Sequence, residues 1–532
     1  MSYVDVNRKF ERGAQLVTRL GQTGNMPLAG AFVDPYIASE HVLLSGRTGA
    51  GKTQVLLPLI NYITCKAQFT NNTIAIITDI SGEFVSKFYN PETDYILNPF
   101  DARSQKWNPF AEIEDASDCT MLAEALVERS GSSNAKEWEM FAQRIIEDSL
   151  NRLHYTDDFK LKDQINTLFR ILSCQEPEFA AGILEGTQSA GYFNEANSKM
   201  LGNVSQIASG SIRGLAQLEQ EGHFSVRKWL TKSVSGEDRK VLWIPYLPKD
   251  SPALKTLIAT WLNLLVLQTL SLTPDRNRQI FFVMDELDSL GKVERLKDAL
   301  TRGRKYGLCT IGAIQNLSQL EDTYGKNDAR TLLGNFNNKI VMAQADYETS
   351  EYFSKTLGTY EETVKTTTVS TSKSNSSGPS GGSSTNQSMS EQETKDRNIF
   401  LVTPTQLTAL EKLTGYALLV GASTNGIQNV LKFKLNVTEF IQMADNFVKK
   451  GDHERRYESD KNTKEGLEKL AGRFWTQEDI ENYNKMTEEQ KQNQLQQNTN
   501  KAIKQDNKTN KLLFIIYTIV GILTGYLVYL HS

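Results

Sequence analysis

Short apolar runs alternate along the chain with stretches in which apolar residues recur at helical spacing. The short runs predict strands at residues 42–44, 74–78, 95–97, 241–246, 280–284, 308–313 and 340–343. The run at 280–284 is apolar at every position, which is typical of a strand covered on both faces, as in a parallel sheet. Strands that alternate with helices predict a doubly wound α/β domain.

The pattern between about residues 111 and 235 is helical throughout. Asn134, with Glu137 three residues later, predicts a helix start, and apolar residues follow at helical spacing. Further helices are predicted near 163–172, 177–185 and 204–219. We therefore predict a discontinuous α/β domain of residues 31–110 and 236–445, with an all-α domain of residues 111–235 inserted and an N-terminal arm of residues 1–30 before it.

Two segments have the composition of polar, non-globular chain, and a third is apolar. Residues 366–392 are rich in Ser, Thr and Gly, which predicts a disordered loop, and residues 446–511 read as a polar linker. Residues 512–530 carry no charge and are long enough, at about 1.5 Å per residue, to cross the hydrocarbon core of a bilayer. Because Lys504, Lys508 and Lys511 precede this run, we predict a C-terminal transmembrane anchor with the bulk of the protein in the cytoplasm.

Composition narrows the classes of function. The formal net charge of −4 gives no overall attraction to nucleic acid, so any contact with DNA must be local, in a groove or a pore. The four cysteines lie far apart and form no CxxC pair, which argues against a disulfide framework. The five histidines show no metal-ligand spacing, which argues against a histidine-based metalloenzyme.

One motif predicts a phosphate-binding loop. The GxxxxGK[ST] pattern lies between a predicted strand and a predicted helix and consists of Gly46, Arg47, Thr48, Gly49, Ala50, Gly51, Lys52 and Thr53. Glycines let backbone N–H groups converge on phosphate oxygens, and the helix N-terminus adds its positive dipole end. Lys52 should reach the β- and γ-phosphates, and Thr53 should bind Mg²⁺. The loop predicts ATP and Mg²⁺ as the cofactors of an ATPase.

Four residues outside the loop are candidates for the chemistry. Asp285 and Glu286 follow the buried run 280–284, where Asp285 should hold Mg²⁺ through water and Glu286 should activate the attacking water. Arg304 belongs to a basic cluster that is either a solvated helix face or an arginine finger acting on a neighbouring subunit. Gln315 follows another strand and is either a γ-phosphate sensor or an ordinary strand-end residue.

With these residues in place, the chain resembles the TraD/TrwB family of type IV coupling proteins from about residue 12 to about residue 437. The resemblance is carried by the phosphate-binding loop together with Glu40-His41, Asp79-Ile-Ser-Gly-Glu83, Asn98-Pro-Phe-Asp101, Trp107-Asn-Pro-Phe110, Met284-Asp-Glu286, Gly303-Arg-Lys-Tyr-Gly307 and Ile314-Gln-Asn-Leu-Ser-Gln-Leu-Glu-Asp322. The loop alone is common to many families, whereas this combination is specific.

The resemblance implies a RecA-like P-loop motor domain with an all-α insertion that assembles as a homo-hexamer at the bacterial inner membrane. Members recruit a relaxase–DNA complex to a type IV secretion channel, contact its channel proteins and bind DNA with little sequence preference. Carried over by position, Lys52, Thr53, Asp285 and Glu286 are the core ATPase residues, Arg304 is the trans-acting arginine and Gln315 is the sensor. Members usually carry N-terminal membrane helices, so the predicted C-terminal anchor is a departure.

Two other functions remain open at this point. One is a double-stranded DNA translocase similar to FtsK and HerA, with no role in secretion. The other is a membrane-tethered adaptor that docks protein substrates through the helical domain, with ATP hydrolysis incidental. The adaptor predicts no stimulation of ATP hydrolysis by DNA, whereas the coupling protein and the translocase both predict it.

Overall fold

The fold is built on one large mixed sheet, seen in a computed structural model that describes residues 26–33, 35–127, 136–156, 164–219, 222–375, 383–424 and 427–450. Its strands, in chain order, are β3 (Val42–Ser45), β4 (Thr73–Ile80), β5 (Asp94–Ile96), β6 (Val241–Tyr246), β7 (Gln279–Met284), β8 (Leu308–Ile314), β9 (Asn338–Met342), β12 (Thr414–Thr424) and β13 (Ile427–Lys434). Before them, β1 (Met26–Leu28) and β2 (Ala31–Val33) form a short hairpin.

The strand order is β13-β12-β9-β3-β8-β7-β4-β6-β5. Every pairing from β9 to β5 is parallel, whereas β12 and β13 add antiparallel strands at one edge. All seven strands predicted between residues 42 and 343 are present, so the predicted α/β class is confirmed. Parallel strands need crossover connections, and helices supply them here.

The described α-helices cover both faces of the sheet. They are α1 (Lys52–Phe69), α2 (Glu83–Phe88), α3 (Ala116–Leu126), α4 (Lys136–Tyr155), α5 (Gln164–Ser173), α6 (Pro177–Ile183), α7 (Ser198–Ile207), α8 (Ser209–Leu215), α9 (Val226–Ser235), α10 (Ser251–Ser271), α11 (Leu296–Arg302), α12 (Leu317–Tyr324), α13 (Lys326–Asn335), α14 (Tyr347–Leu357) and α15 (Pro404–Thr408). Because both faces are covered, every residue of β3, β6, β8 and β9 is buried. Successive strand residues enter opposite cores, as Leu43 and Leu44 do.

The helices between residues 116 and 235 share a core with one face of the sheet. Ile145 of α4 and Leu168 of α5 belong to the same buried apolar cluster as Ile76 of β4. The single helical stretch predicted near 204–219 is instead the pair α7 and α8. Gly210 of α8 lies so close to α10 that an added Cβ would come within 2.7 Å of the Thr256 hydroxyl, so the absence of a side chain permits this close packing of α8 on α10.

A buried polar cluster joins the two ends of this helical segment. Glu112, just before α3, accepts hydrogen bonds from Trp107 Nε1 and from the Val226 backbone N–H, both at 2.7 Å. Its other oxygen accepts from the Ser225 hydroxyl at 2.6 Å. Burial raises the pKa of Glu112, and these hydrogen bonds oppose that shift. One carboxyl group therefore joins the chain just before the first helix of the segment to the start of its last helix, α9.

The segment predicted as a disordered loop at 366–392 forms a β-ribbon wherever it is described. The strands β10 (Thr359–Asn375) and β11 (Ser383–Phe400) pair antiparallel, from Thr359 opposite Phe400 to Asn375 opposite Ser383. Residues 376–382 lie outside the described part. Low apolar content did not exclude strands here, because a backbone ladder can pair whatever the side chains are, and threonine is β-branched and favours strands.

The region predicted as a polar linker begins later than expected. Residues 446–450 still pack on the domain: Val448 is buried, and the Ala102 N–H donates to its carbonyl at 2.7 Å. The Arg103 guanidinium donates to the Asp445 carbonyl at 2.9 Å. The rest of the linker, the arm before residue 26, Asn134 and the predicted anchor at 512–530 lie outside the described residues.

One helix among the described residues is long and apolar enough to cross a membrane. This helix is α10, and 67% of its most apolar window is buried inside the protein. Its residues Leu257, Trp261 and Leu265 belong to the core on one face of the sheet. We therefore assign α10 as a core helix of the α/β domain.

We expect replacement of Glu112 by Ala to destabilise the fold by about 3 kcal/mol, because it leaves the Trp107, Ser225 and Val226 donors buried without their acceptor. The matched control is Glu114→Ala, since Glu114 is exposed and lies 3.9 Å from Lys228; it should change stability by less than about 0.5 kcal/mol. Urea unfolding followed by circular dichroism measures both. Equal unfolding midpoints for the two variants would contradict the structural role of Glu112.

Candidate functional site

Three parallel strands bring the predicted chemistry to one edge of the sheet. β8 lies between β3 and β7, and all three run in the same direction. The phosphate-binding loop follows β3, Asp285 and Glu286 follow β7, and Gln315 follows β8. Because the carboxyl ends of parallel strands meet at the same edge, residues more than two hundred positions apart in sequence become neighbours.

Glycine is required in the phosphate-binding loop at two positions. Gly49 and Gly51 have φ of 76° and 112°, a region that other residues rarely adopt. A Cβ on Gly51 would also come within 2.7 Å of Leu413 Cδ2. Backbone hydrogen bonds hold the loop from both sides: the Arg47 N–H donates to Ala343 at 2.7 Å, and the Leu413 N–H donates to Ala50 at 2.9 Å. The loop is therefore held in shape by its neighbours in the fold.

Lys52 begins α1 and reaches back over the loop. Its Nζ donates to the Gly46 carbonyl at 2.5 Å, which places the ammonium group inside the ring of backbone that would surround a phosphate. Burial lowers the pKa of Lys52, and the carboxylates of Glu286 and Asp285 oppose this shift. The cation therefore sits between the loop and the acidic pair, where it can bind phosphate oxygens.

A chain of side-chain hydrogen bonds connects the loop to the acidic pair through Gln315. The Thr48 hydroxyl donates to Gln315 Oε1 at 3.0 Å. The Gln315 amide in turn donates to Glu286 Oε1. Gln315 thus contacts the loop and Glu286 at once, an arrangement that an ordinary strand-end residue would not need.

Asp285 and Glu286 are suited to a divalent cation. Burial and the nearby Glu286 charge raise the pKa of Asp285 to about 7, while Lys52 opposes the rise. Burial and the charge of Asp288 raise the pKa of Glu286 as well. Crowded, partly buried carboxylates are stabilised by a cation, and Mg²⁺ prefers oxygen ligands such as the Thr53 hydroxyl and the Asp285 carboxylate. The donor set therefore fits Mg²⁺.

Sequence reasoning gave no role to Asp79, although its motif was noticed. Asp79 lies in β4 next to β7, is completely buried, and accepts a hydrogen bond from the Val85 N–H at 2.7 Å. Burial, together with the Asp285 and Glu83 charges, raises the pKa of Asp79 well above its usual range. The signal in the sequence was an acidic residue inside an otherwise apolar strand.

Arg304 is the predicted site residue that the fold does not bring to the phosphate-binding loop. It lies in the one-turn helix Gly303–Tyr306, before β8, whereas Gln315 follows β8. A strand of this length separates the two edges by roughly 20 Å, at about 3.3 Å per residue. Arg304 therefore faces away from the site of its own chain, and its guanidinium is paired with the carboxylate of Glu40.

A buried histidine lies beside this ion pair. His41 has a φ of 57°, and its Nδ1 accepts a hydrogen bond from the Thr310 N–H at 3.1 Å, which ties the start of β3 to β8. Burial lowers the pKa of His41 to about 4, and the Arg304 charge contributes to the shift. The imidazole is therefore neutral at physiological pH.

Comparisons with known proteins identify a family for this chain. A family profile described as the type IV secretion-system coupling protein DNA-binding domain matches residues 26–436. This chain belongs to the type IV coupling protein family. Coupling protein TraD of Escherichia coli K12 is 27% identical over 326 residues, which are 60% of this chain and 44% of TraD. VirD4 of Bartonella henselae, a type IV secretion system-coupling protein, is 24% identical and is covered over 56% of its length. The chain thus spans about half the length of these coupling proteins, or less.

Solved structures of the conjugative coupling protein TrwB share the fold. An unbound form has a TM-score of 0.68 and 26% identity, covering 82% of this chain and 94% of the TrwB chain. TrwB in complex with ADP and Mg²⁺ has a TM-score of 0.66 and covers 81% of this chain. The resemblance to the TraD/TrwB family is therefore confirmed, as is a RecA-like fold with helical insertions.

We expect the His41 imidazole of this coupling protein to titrate near pH 4 in the folded state. A folded pKa below the unfolded value means that the unfolded chain binds the proton first, so stability is complete above about pH 6.5 and is lost as pH falls towards 4. The loss is about 3 kcal/mol at most. NMR of histidine-labelled protein, assigned with His41→Asn, measures the midpoint. A midpoint near 6.5 would show that the imidazole is solvated.

Proposed function

We propose that this coupling protein is a ring-forming, Mg²⁺-dependent ATPase that recruits a relaxase–DNA complex and delivers the DNA to a type IV secretion or conjugation channel. The observation that carries the proposal is the meeting of the phosphate-binding loop, Asp285–Glu286 and Gln315 at one sheet edge. The family match along residues 26–436 supports the coupling role over that of a translocase without a secretion partner. The nucleotide-bound structures of TrwB support ATP and Mg²⁺ as cofactors.

In this proposal each residue at the edge has one task. The backbone of residues 46–53 and the Lys52 ammonium would bind the phosphates, and Thr53 and Asp285 would hold Mg²⁺, which would supply positive charge against the phosphate oxygens. Glu286 orients and deprotonates the attacking water, and its raised pKa suits a general base. Gln315 contacts both Glu286 and the loop residue Thr48, which places it where a γ-phosphate sensor is expected.

A neighbouring subunit completes the site. Arg304 lies at the edge of the sheet opposite its own phosphate-binding loop, so it serves the site of the next subunit in a homo-hexameric ring. A head-to-tail interface of this kind closes into a ring when the rotation between subunits permits. The segment 512–530 anchors the protein in the inner membrane, where the ring faces the channel proteins.

Lys52→Ala and Asp285→Ala should each abolish ATP hydrolysis without unfolding the protein, because they remove charge at the phosphates and the metal and leave the apolar cores unchanged. Glu286→Gln should keep nucleotide binding and lose at least about 100-fold in kcat. Lys199→Ala, an exposed change on α7, is the matched control and should hydrolyse at the wild-type rate. Phosphate release by purified protein is the measurement. Near wild-type hydrolysis in Lys52→Ala would refute the site.

Single-stranded DNA should stimulate hydrolysis and bind with little sequence preference. Backbone contacts predict that the logarithm of the affinity falls linearly with the logarithm of salt concentration, with a slope of about −0.7 per phosphate contacted. Fluorescence anisotropy at several salt concentrations, with unlabelled competitors of different sequence, measures both properties. Absence of binding and of stimulation would favour the protein-docking adaptor. Stimulation without any requirement for the protein in conjugal transfer would favour a translocase.

A further inference from the structure

Glu40 and Tyr36 surround Arg304 in a way that the ATPase mechanism above does not use. Both residues belong to the short 3₁₀ helix Pro35–Glu40, which precedes β3, while Arg304 lies in the one-turn helix that precedes β8. Because β3 and β8 are parallel neighbours, the two short helices meet at one edge of the sheet. We propose that Glu40 and Tyr36 are positioning residues that orient Arg304 towards the nucleotide of the adjacent subunit, an inference that rests on the proposed ring ATPase.

The carboxylate of Glu40 is held in place by contacts on both of its oxygens. Only 8% of Glu40 is exposed. One carboxylate oxygen pairs with Arg304, and the other accepts a hydrogen bond from Asn337 Nδ2 at 2.8 Å. The Asn337 N–H also donates to the Glu40 carbonyl at 3.1 Å. The carboxylate is therefore held from the side of the sheet and is not free to follow Arg304 into solvent.

Tyr36 adds a second point of attachment. Its hydroxyl accepts a hydrogen bond from Arg304 Nη2 at 2.9 Å, and the centre of its ring lies 5.5 Å from the guanidinium carbon. The side chain of Arg304 remains 47% exposed. Glu40 and Tyr36 thus engage one edge of a planar, five-donor group, while much of the side chain still faces outward.

The surroundings of the Glu40–Arg304 ion pair are consistent with a guanidinium that is oriented for contact with another subunit. His41, beside Glu40, is buried and neutral, so it adds no second cation next to Arg304. A half-exposed ion pair contributes little to stability on its own, so the contact between Glu40 and Arg304 adds little to the fold beyond the hydrogen bonds that Glu40 makes with Asn337. An arginine already held in its working orientation loses less conformational entropy when it binds a phosphate across an interface. The arrangement therefore supports the rate of hydrolysis at the neighbouring site.

Under this proposal, Glu40 and Tyr36 affect ATP hydrolysis at the active site of the neighbouring subunit. A purely structural role would instead affect the subunit that carries them. Glu40→Gln should lower kcat about tenfold with the KM for ATP changed by less than about twofold. Tyr36→Phe, which removes only the hydroxyl, should have a smaller effect in the same direction. Arg304→Ala should lose at least about 1,000-fold, as expected for a missing arginine finger. Glu124→Gln, at the Glu124–Arg295 ion pair elsewhere on the surface, should be unchanged.

Mixed assemblies of the full-length protein provide the decisive measurement. Glu40→Gln subunits have an intact phosphate site, and Lys52→Ala subunits have an intact Arg304, so co-assembled rings should regain activity at the interface where the two complement each other. Arg304→Ala mixed with Lys52→Ala is the reference and should recover in the same way. Binding of a fluorescent ATP analogue and the thermal midpoint of each variant show that it is folded.

Recovery in Glu40→Gln mixtures, with a selective loss of kcat in the pure variant, supports the positioning role. Loss of activity without recovery, while the Arg304→Ala reference recovers, would show that Glu40 acts on its own subunit and would overturn the inference. Wild-type activity of pure Glu40→Gln beside an inactive Arg304→Ala would overturn it too, and would leave the proposed ATPase intact. Full activity of pure Arg304→Ala would instead refute the trans-acting arginine itself, and with it the positioning role.

Discussion

The parallel pairing of β3, β8 and β7 is the constraint on which the rest of this structure depends. It places the ends of three strands side by side, so that the loop after β3, the acidic pair after β7 and Gln315 after β8 form one site. Parallel strands require long crossovers, and the crossovers provide the helices that bury both faces of the sheet. The stability of the sheet and the assembly of the site are therefore consequences of the same topology.

The same pairing brings Glu40 and Arg304 together at the opposite edge of the sheet. Each of β3 and β8 has a candidate residue before it and another after it: Glu40 precedes β3 and the phosphate-binding loop follows it, while Arg304 precedes β8 and Gln315 follows it. A subunit therefore carries a phosphate-binding edge and a guanidinium edge about one strand length apart. Two unlike edges on one subunit suit a head-to-tail interface, in which the guanidinium edge of each subunit reaches the phosphate edge of the next. In the proposed ring, this arrangement would place Arg304, which is remote from its own Lys52, at the phosphate-binding loop of the next subunit.

Local patterns predicted the strands and the phosphate-binding loop of this coupling protein well. Both a buried strand and a phosphate-binding loop require particular residue types within a short stretch of sequence. The apolar run at 280–284 became β7, and Gly49 and Gly51 of the loop adopt the positive φ that only glycine accepts easily. The pattern failed where strands pair without an apolar face, as in the ribbon of β10 and β11. It also failed at the break between α7 and α8, which the helical spacing of the apolar residues did not reveal.

The sequence by itself determined the phosphate-binding loop, the acidic pair and the α/β class, since each depends on residues that are adjacent or regularly spaced along the chain. Only the tertiary structure decided which distant residues meet. Gln315 bridges Thr48 and Glu286, and Glu40 with Tyr36 holds Arg304. It also decided that Asp79 is buried near Asp285. Such contacts depend on strand order and register, which nonlocal packing determines and which no short stretch of the chain encodes.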